Sequence, residues 1–284
     1  MTARPGSAQA WWALDILVPQ TQHPALAAWL VTHTGMAVEE RDDGSIVSFA
    51  AGDHARDDLG REIGARFPGA SITTRSISPT DYATSWRRGL GPRGFGRLTV
   101  VPSWIPYAPA ENEAVVVLDP ETAFGSGEHG STRAALTLLE RYLRPGDRML
   151  DLGSGSGILA IAAARLGAAS AVGIEVDIDA LPVAVRNAER NHVWEVTQFL
   201  EGDAADLAPL LGPVDILCSN ILRTVNQQLL PSINGSLRAG GKAIFAGMET
   251  PEAPLFCPLL EAAGFALVDE VVDEDWWAVM GVRG

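Results

Sequence analysis

A glycine-rich turn between an apolar strand and a helix is the feature that most constrains how this chain folds. The strand is predicted over residues 148–152 and the helix over residues 158–166. Gly153, Gly155 and Gly157 lie between them, and glycine allows positive φ angles with no Cβ in the way. A ligand on this turn meets bare backbone N–H groups and the positive end of a helix. The stretch therefore predicts a ligand site at the end of the strand.

The chain after residue 112 alternates strands and helices, which is typical of a parallel sheet. Strands are predicted at 114–118, 148–152, 171–175, 197–201, 214–219, 242–246, 266–272 and 276–282. Helices are predicted at 131–142, 158–166, 178–191, 224–237 and 251–263. The last two strands are separated only by Asp273, Glu274 and Asp275, so they must pair as a hairpin. Ordinary dinucleotide-binding sheets do not end in this way.

The sequence pattern of residues 1–77 predicts a smaller α+β domain. The β-α-β-β-α-β order of a ferredoxin-like unit is given by strands at 11–18, 36–40, 46–50 and 70–77 and helices at 24–34 and 53–67. Asp42-Asp43-Gly44 is a hairpin signal, and Asp53 is placed as a helix N-cap. The sequence of this part has no phosphate-binding loop, so we interpret it as a substrate-recognition domain. Residues 78–112 are rich in proline and glycine and are predicted as a linker with a short helix at 81–90.

Composition narrows the function classes. The chain has 284 residues and a formal net charge of −14, which argues against nonspecific nucleic-acid binding because that needs a basic face. The sequence contains no apolar run of about 18 residues or more, so it predicts no membrane span. The first residues lack the pattern of a secretory signal. Cys218 and Cys257 are expected to be free thiols. We therefore expect a cytoplasmic protein, and a monomer, with no metal, nucleic-acid partner or membrane.

Polar signals follow four consecutive predicted strands of the sheet. The first is the Gly-x-Gly-x-Gly turn, which lacks the lysine that a triphosphate requires. Glu175 ends the next strand, where a carboxylate accepts ribose hydroxyls. Asp203 follows the third strand and is suited to an adenine amino group, and Asn220 follows the fourth. Because ligands lie across the carboxyl ends of parallel strands, these signals predict one adenosine-bearing ligand, S-adenosylmethionine rather than ATP.

The run from Leu118 to Thr132, LDPETAFGSGEHGST, resembles the signature of the ribosomal protein L11 methyltransferases. Further motifs of that family resemble residues 150–162, 173–177, 187–191, 220–222 and 102–104 together with Trp86. The resemblance implies an α/β protein with a Rossmann-like, seven-stranded class I methyltransferase domain at 113–284. It also implies that the ferredoxin-like domain at 1–77 grips the substrate, ribosomal protein L11.

Carried across residue by residue, the resemblance implies a set of donor contacts. S-adenosylmethionine would contact Thr132, Gly153, Glu175 and Asn220, its methionine end would be lined by Phe124 and Gly125, and the strand-end argument adds Gly155 and Asp203. The family usually reads GTGTHPTT where this chain reads GSGEHGST from Gly125 to Thr132. Glu128 adds a charge and Gly130 stands where the family has proline, so the acceptor stays open.

Methyl transfer to a lysine needs a neutral amine held in line with the bond between sulfur and methyl. The candidates to orient it are Glu128, His129 and Asn220. A structural role in its loop is an equal alternative for His129. For Glu128 the alternative is a solvated charge on the loop. Three other functions remain open: methylation of another protein lysine or a small amine, NAD-dependent oxidoreduction, and donor binding without catalysis. The terminal hairpin and the turn spacing disfavour the oxidoreductase.

Overall fold

The computed structural model describes residues 11–34, 38–41, 44–77, 91–119 and 123–284. The chain divides into two compact units, Met1–Gly89 and Leu90–Gly284. The helix predicted at residues 81–90, with Trp86, lies outside the described residues. Within the described ranges, no helix combines the length and the apolar character that crossing a membrane requires.

The first unit is a four-stranded antiparallel sheet with two α-helices and one short 3₁₀-helix (Gln20–Gln22), counted over its described residues. Its elements are β1 (Trp11–Leu17), α1 (His23–Thr34), β2 (Glu39–Glu40), β3 (Ile46–Ala51), α2 (Gly52–Arg66) and β4 (Ser71–Ile77). The spatial order is β2-β3-β1-β4, which confirms the ferredoxin-like connectivity. Leu14, Ile16, Leu26, Leu30 and Ile63 are fully buried in one core cluster. Leu14 and Ile16, two residues apart on β1, therefore lie on the face of the sheet that packs against both helices.

Asp53 lies inside the first turn of α2 rather than at its N-cap. The helix begins at Gly52 and its N-cap is Ala51, so the capping role predicted for Asp53 is wrong. The carboxylate still lies near the positive end of the helix, 3.2 Å from Arg56 Nη1, where a negative charge is favourable. Residues 42 and 43 of the predicted hairpin turn lie outside the described residues.

Three short strands open the second unit in its described part. They are β5 (Arg93–Phe95), β6 (Leu98–Pro102) and β7 (Ala114–Leu118); β5 pairs antiparallel with β6, and β6 pairs in parallel with β7. Strands β5 and β6 lie within the segment predicted as a linker. This part of the segment is structured because Leu98 and Val100 are buried in the same core cluster as Leu139. The prediction that residues 114–118 join the large sheet is wrong, since this strand pairs with β6 instead.

The large sheet lies between Arg148 and the C-terminus, a range that is described throughout. Its seven strands are β8 (Arg148–Leu152), β9 (Ser170–Glu175), β10 (Thr197–Glu201), β11 (Val214–Asn220), β12 (Leu237–Glu249), β13 (Phe265–Asp273) and β14 (Trp276–Arg283). The spatial order is β10-β9-β8-β11-β12-β14-β13. The first five strands in this order are parallel, and β14 runs antiparallel to both β12 and β13. The Rossmann-like sheet with its terminal hairpin is thus confirmed.

Helices cover both faces of this sheet. They are α3 (Gly130–Tyr142), α4 (Ile158–Arg165), α5 (Leu181–Arg190), α6 (Ala204–Leu211), α7 (Arg223–Ser236) and α8 (Ala253–Ala262). The first three belong to one core cluster and the last three to another. Phe245 and Phe256 anchor the second cluster with ring centroids 5.6 Å apart, and burying each side chain stabilises the fold by about 1.5–3 kcal/mol. Helix α6 is not predicted from the sequence, because Pro209 interrupts its short pattern.

Candidate active site

Four loops meet at the carboxyl edge of the large sheet. Strands β10, β9, β8 and β11 lie side by side, and their register pairs Glu201 with Glu175 and Leu152 with both Ile174 and Ser219. The loops after these strands therefore begin at neighbouring positions, as the sequence predicts. Ligands of open α/β sheets bind outside this edge, so the four loops define the candidate site.

The glycine turn after β8 is packed closely against its neighbours. Gly153 N–H donates to the carbonyl of Ile174 at 2.9 Å. Gly153 and Gly155 have φ angles of +72° and +49°, which L side chains rarely adopt. A Cβ on Gly153 would lie 2.5 Å from Ile221 Cγ2, and one on Gly155 would lie 2.6 Å from the carbonyl oxygen of Phe124. Glycine is therefore needed here so that two other loops can lie directly on the turn.

The site loop (residues 123–129) is one of the two segments that rest on the glycine turn. Ser156 holds it, because its N–H donates to the Phe124 carbonyl at 2.9 Å and its hydroxyl donates to the Gly125 carbonyl at 2.6 Å. Gly125 is buried, whereas Phe124 is 55% exposed. Residues 120–122 of the signature lie outside the described residues. The two predicted contacts to the methionine end thus lie directly beside the turn.

The carboxylate of Glu175 is bound to the glycine turn. Its Oε2 accepts a hydrogen bond from Gly155 N–H at 2.8 Å, and its Oε1 accepts from the N–H groups of Val176 and Asp177 at 2.9 and 3.0 Å. A carboxylate offers about four acceptor positions, so these contacts leave one position, on Oε2. A ligand that donates two hydroxyl groups to Glu175 must displace one of the backbone donors.

Asn220, at the end of β11, contacts the first turn of α3. Its Nδ2 donates to Thr132 Oγ1 at 3.2 Å, and Thr132 is fully buried. Asn220 Oδ1 is also buried, and none of the described residues donates a hydrogen bond to it. Leaving a buried acceptor without a donor costs about 1–3 kcal/mol, so this oxygen is placed to accept from a ligand.

The imidazole of His129 packs between two aromatic rings. Its centroid lies 5.2 Å from that of Phe124 and 4.2 Å from that of Trp276. Its Nδ1 lies 2.8 Å from Ser131 Oγ. Burial, assisted by the Arg133 guanidinium, holds the pKa of His129 below its ordinary value of 6.5. The ring is therefore neutral at pH 7, and in the tautomer in which Nδ1–H donates to Ser131 Oγ its Nε2 is a hydrogen-bond acceptor.

Glu128 is held by two arginines. Its carboxylate oxygens lie 3.0 and 3.2 Å from Arg93 Nε, and its backbone carbonyl accepts a hydrogen bond from Arg133 Nη1. Arg93 comes from β5, in the segment that the sequence predicts as a linker. The Glu128 carboxylate is therefore part of an ion pair rather than a solvated charge. Any contact between this carboxylate and a substrate has to compete with Arg93.

Asp203 follows β10 and caps α6. Its Oδ1 accepts a hydrogen bond from Ala205 N–H at 2.8 Å, which satisfies one of the free donors at the helix start. The side chain is exposed at the carboxyl edge, and Oδ2 is the oxygen that the cap does not use. The contact to an adenine amino group stays a prediction.

Asp151, on β8, has no role in the sequence analysis, yet it is a fully buried carboxyl group directly before the glycine turn. Its Oδ2 accepts from Ala160 N–H at 3.2 Å, and no described residue donates to Oδ1. Burial raises the pKa of Asp151 from 3.8 to about 7, and the charge of Glu175 acts in the same direction. The sequence signal that could have identified Asp151 is an acidic residue inside an otherwise apolar strand.

Cys218 lies opposite Asp151 in the register of β8 and β11. Cys218 and Cys257 are free thiols, as predicted.

Comparison with known proteins identifies the family of this chain. The family model described as "Ribosomal protein L11 methyltransferase (PrmA)" matches residues 13–284. The ribosomal protein L11 methyltransferase of Pelotomaculum thermopropionicum is 41% identical over 217 residues, which cover 76% of this chain and 70% of that protein. Its counterpart from Thermus thermophilus is 39% identical over 200 residues, which cover 70% of this chain and 76% of that protein.

A solved structure has the same fold. The crystal structure of a ribosomal protein L11 methylase from Lactobacillus delbrueckii subsp. bulgaricus matches with a TM-score of 0.62 and 28% identity, over 68% of this chain and 99% of that chain. The predicted fold class and the predicted cofactor, S-adenosylmethionine, are both confirmed. The chain therefore belongs to the ribosomal protein L11 methyltransferase family, a family of S-adenosylmethionine-dependent enzymes.

Proposed function

We propose that this protein transfers methyl groups from S-adenosylmethionine to amines of ribosomal protein L11, at lysine side chains, the N-terminal amine or both. The names of the relatives support the acceptor. The structural observation that carries the proposal is Asn220 Oδ1, a buried oxygen to which no described residue donates. An amine at the end of β11 brings the N–H groups that this oxygen lacks.

The residues at the carboxyl edge fit this donor. Seven of the eight predicted residues are proposed as direct contacts: Phe124, Gly125, Gly153, Gly155, Glu175, Asp203 and Asn220. The open acceptor position on Glu175 Oε2 suits a ribose hydroxyl, and the turn carries no lysine for phosphates. Thr132 is buried and acts through its hydrogen bond with Asn220. When bound, S-adenosylmethionine supplies a methyl group that its sulfonium charge has already activated.

The acceptor amine must be neutral and held in place. A lysine amine has an ordinary pKa of about 10.4, and exclusion from water lowers it. In this proposal Asn220 Oδ1 accepts one amine N–H, which directs the nitrogen lone pair. His129 offers its neutral ring nitrogen as a second acceptor. Glu128 is the third proposed residue of this group, and it positions His129 through its contacts with Arg93 and Arg133.

The predicted domains have separate roles in this proposal. Residues 1–77 recognise the substrate protein, and residues 113–284 carry out methyl transfer together with β5 and β6, which the segment predicted as a linker contributes to the second unit. A net charge of −14 favours a lysine-rich partner by charge complementarity. A ribosomal acceptor places the reaction in the cytoplasm, and we propose that a monomer carries it out without direct contact with nucleic acid or membrane.

Transfer of label from tritiated S-adenosylmethionine tests the acceptor. Purified ribosomal protein L11 should take up label, and mass spectrometry should locate the added methyl groups on lysine or N-terminal amines. Label that appears only on other proteins of a whole-cell extract would contradict the acceptor. Donor binding without label on any protein would contradict methyl transfer itself.

The variant Asn220→Ala tests the observation that carries the proposal. Loss of a hydrogen-bonding group at the reacting atoms typically lowers turnover by a factor of about 100 or more, and we expect that loss in kcat at saturating donor. The matched control is Gln227→Ala, because Gln227 is an exposed amide on the following helix α7. Equal kcat in the two variants would remove Asn220 from the reaction.

A further inference from the structure

The turn between β13 and β14 (residues 273–276, the hairpin turn) lies against the start of α3. Gly130, the first residue of α3, shows how close this contact is. A Cβ added to Gly130 would lie 2.6 Å from Trp276 Cδ1 and 2.8 Å from the carbonyl oxygen of Asp273. These separations are too short for any side chain, so the close approach of the hairpin turn requires glycine. Glycine at this position, where the family pattern has proline, leaves the room that this approach needs.

Asp273 is linked to the site loop through one guanidinium group. Arg133 Nε donates to Asp273 Oδ2 at 2.9 Å and Arg133 Nη2 donates to Oδ1, while Nη1 of the same group donates to the carbonyl oxygen of Glu128. The Arg133 side chain is only 11% exposed. A bidentate, charge-assisted pair of this kind fixes the guanidinium plane. Asp273 therefore determines where Arg133 holds the Glu128 carbonyl, one residue before His129.

Trp276 makes a second, independent contact with the site loop. Its ring lies 4.2 Å from that of His129, which in turn packs edge-on against Phe124 at 5.2 Å. Both Phe124 and His129 belong to the proposed site. The hairpin turn thus reaches the site loop in two ways, through the Arg133 guanidinium of α3 and through the indole of Trp276, whose plane is tilted by 55° from that of His129.

We infer that the hairpin turn is a positioning element of the methyl-transfer site, in which Asp273 acts through Arg133 and Trp276 acts through His129. The inference rests on the proposed function, because the site loop carries the proposed donor and amine contacts. Asp273 is a positioning residue that reaches no reacting atom itself. Without its carboxylate, the acid left to pair with Arg133 is Glu274 at 3.0 Å, a residue whose side chain is 73% exposed. The site loop then loses its fixed contact at Glu128, while Ser156 still holds Phe124 and Gly125.

Two variants of Asp273 and one control test this inference in the full chain. Asp273→Asn removes the charge and one acceptor, and Asp273→Glu restores the charge. Asp275→Asn makes the same chemical change on the same turn at an exposed carboxylate. The ligand is S-adenosylhomocysteine, measured by calorimetry, and the kinetic readout is kcat and KM for each substrate. Hydrogen exchange of the site-loop amides is measured without any ligand.

In the Asp273→Asn variant we expect faster exchange of the site-loop amides and an affinity for S-adenosylhomocysteine that is about tenfold lower, the effect of losing one charge-assisted hydrogen bond. Asp273→Glu should recover most of that affinity, and Asp275→Asn should match the wild type. A merely structural role would lower the melting temperature and the active fraction while Kd and KM stayed unchanged. That result, or unchanged exchange in Asp273→Asn, would overturn the inference. Failure of the proposed function is separate, since it appears as no methyl transfer by the wild type.

Discussion

Replacing Asp151 with asparagine should change how the stability of the protein depends on pH. Burial raises the pKa of this carboxyl group from 3.8 to about 7 in the folded state. The neutral acid is then the preferred folded form, so the contribution of Asp151 to stability is full below about pH 4 and is lost as the pH rises through 7. Each pKa unit corresponds to about 1.4 kcal/mol. Ionised Asp151 therefore costs the folded state about 4 kcal/mol at pH 8.

The assay is urea unfolding between about pH 5 and pH 8, compared for wild type and Asp151→Asn. Asparagine keeps an oxygen for Ala160 N–H, the donor at 3.2 Å, and it does not titrate. The free energy of unfolding of the variant, minus that of the wild type, should rise by about 2 kcal/mol from pH 5 to pH 7 and level off by pH 8. Asp275→Asn, at an exposed carboxylate, should show a flat difference. A flat difference for Asp151→Asn as well would refute the reasoning.

Three further substitutions test contacts within the second unit, two at the site and one in the core. Gly155→Ala should lower the free energy of unfolding by about 1–3 kcal/mol, because the new Cβ meets the Phe124 carbonyl oxygen at 2.6 Å; an unchanged urea midpoint would contradict this. Arg93→Gln should cost less than about 1 kcal/mol, and less still in high salt, because the side chain that pairs with Glu128 is 47% exposed; a larger, salt-independent loss in urea unfolding would be inconsistent with a surface pair. Phe256→Ala should cost about 3–5 kcal/mol in the same assay, since its side chain is fully buried, and a loss below 1 kcal/mol would mean that the core refills.

The fold was predictable where local patterns carry the information. The three-residue connection at Asp273–Asp275 forces a hairpin, and the structure shows β13 and β14 paired in that way. The position of β7 was not predictable in the same way, because its residues read as a buried strand whichever sheet they join. Its partner, β6, lies in a segment whose prolines and glycines suggest a linker, although Leu98 and Val100 are buried. The sequence of a single strand does not identify the distant strand with which it pairs.

The candidate site shows the same division. The position of Glu175 and Asn220 at this edge was predictable because each ends a strand, and neighbouring strand ends share one edge of the sheet. Arg133 and Trp276 were not found, because their contacts with the site loop depend on how α3 and the hairpin pack together. Glu128 is an ion-paired rather than a solvated carboxylate because of Arg93, which is 35 residues away in the chain. Contacts of this range have no periodic signal in the sequence.

The central claim is that the loops at the carboxyl edge bind S-adenosylmethionine, with Glu175 on the ribose. Calorimetry with S-adenosylhomocysteine tests it most directly, with Glu175→Gln compared to Glu201→Gln, the glutamate paired with Glu175 in register on β10. The wild type and Glu201→Gln should bind equally well, and Glu175→Gln should bind about ten to a hundred times more weakly, as expected when charge-assisted hydrogen bonds are lost. No binding by the wild type, or equal binding by all three proteins, would contradict the claim.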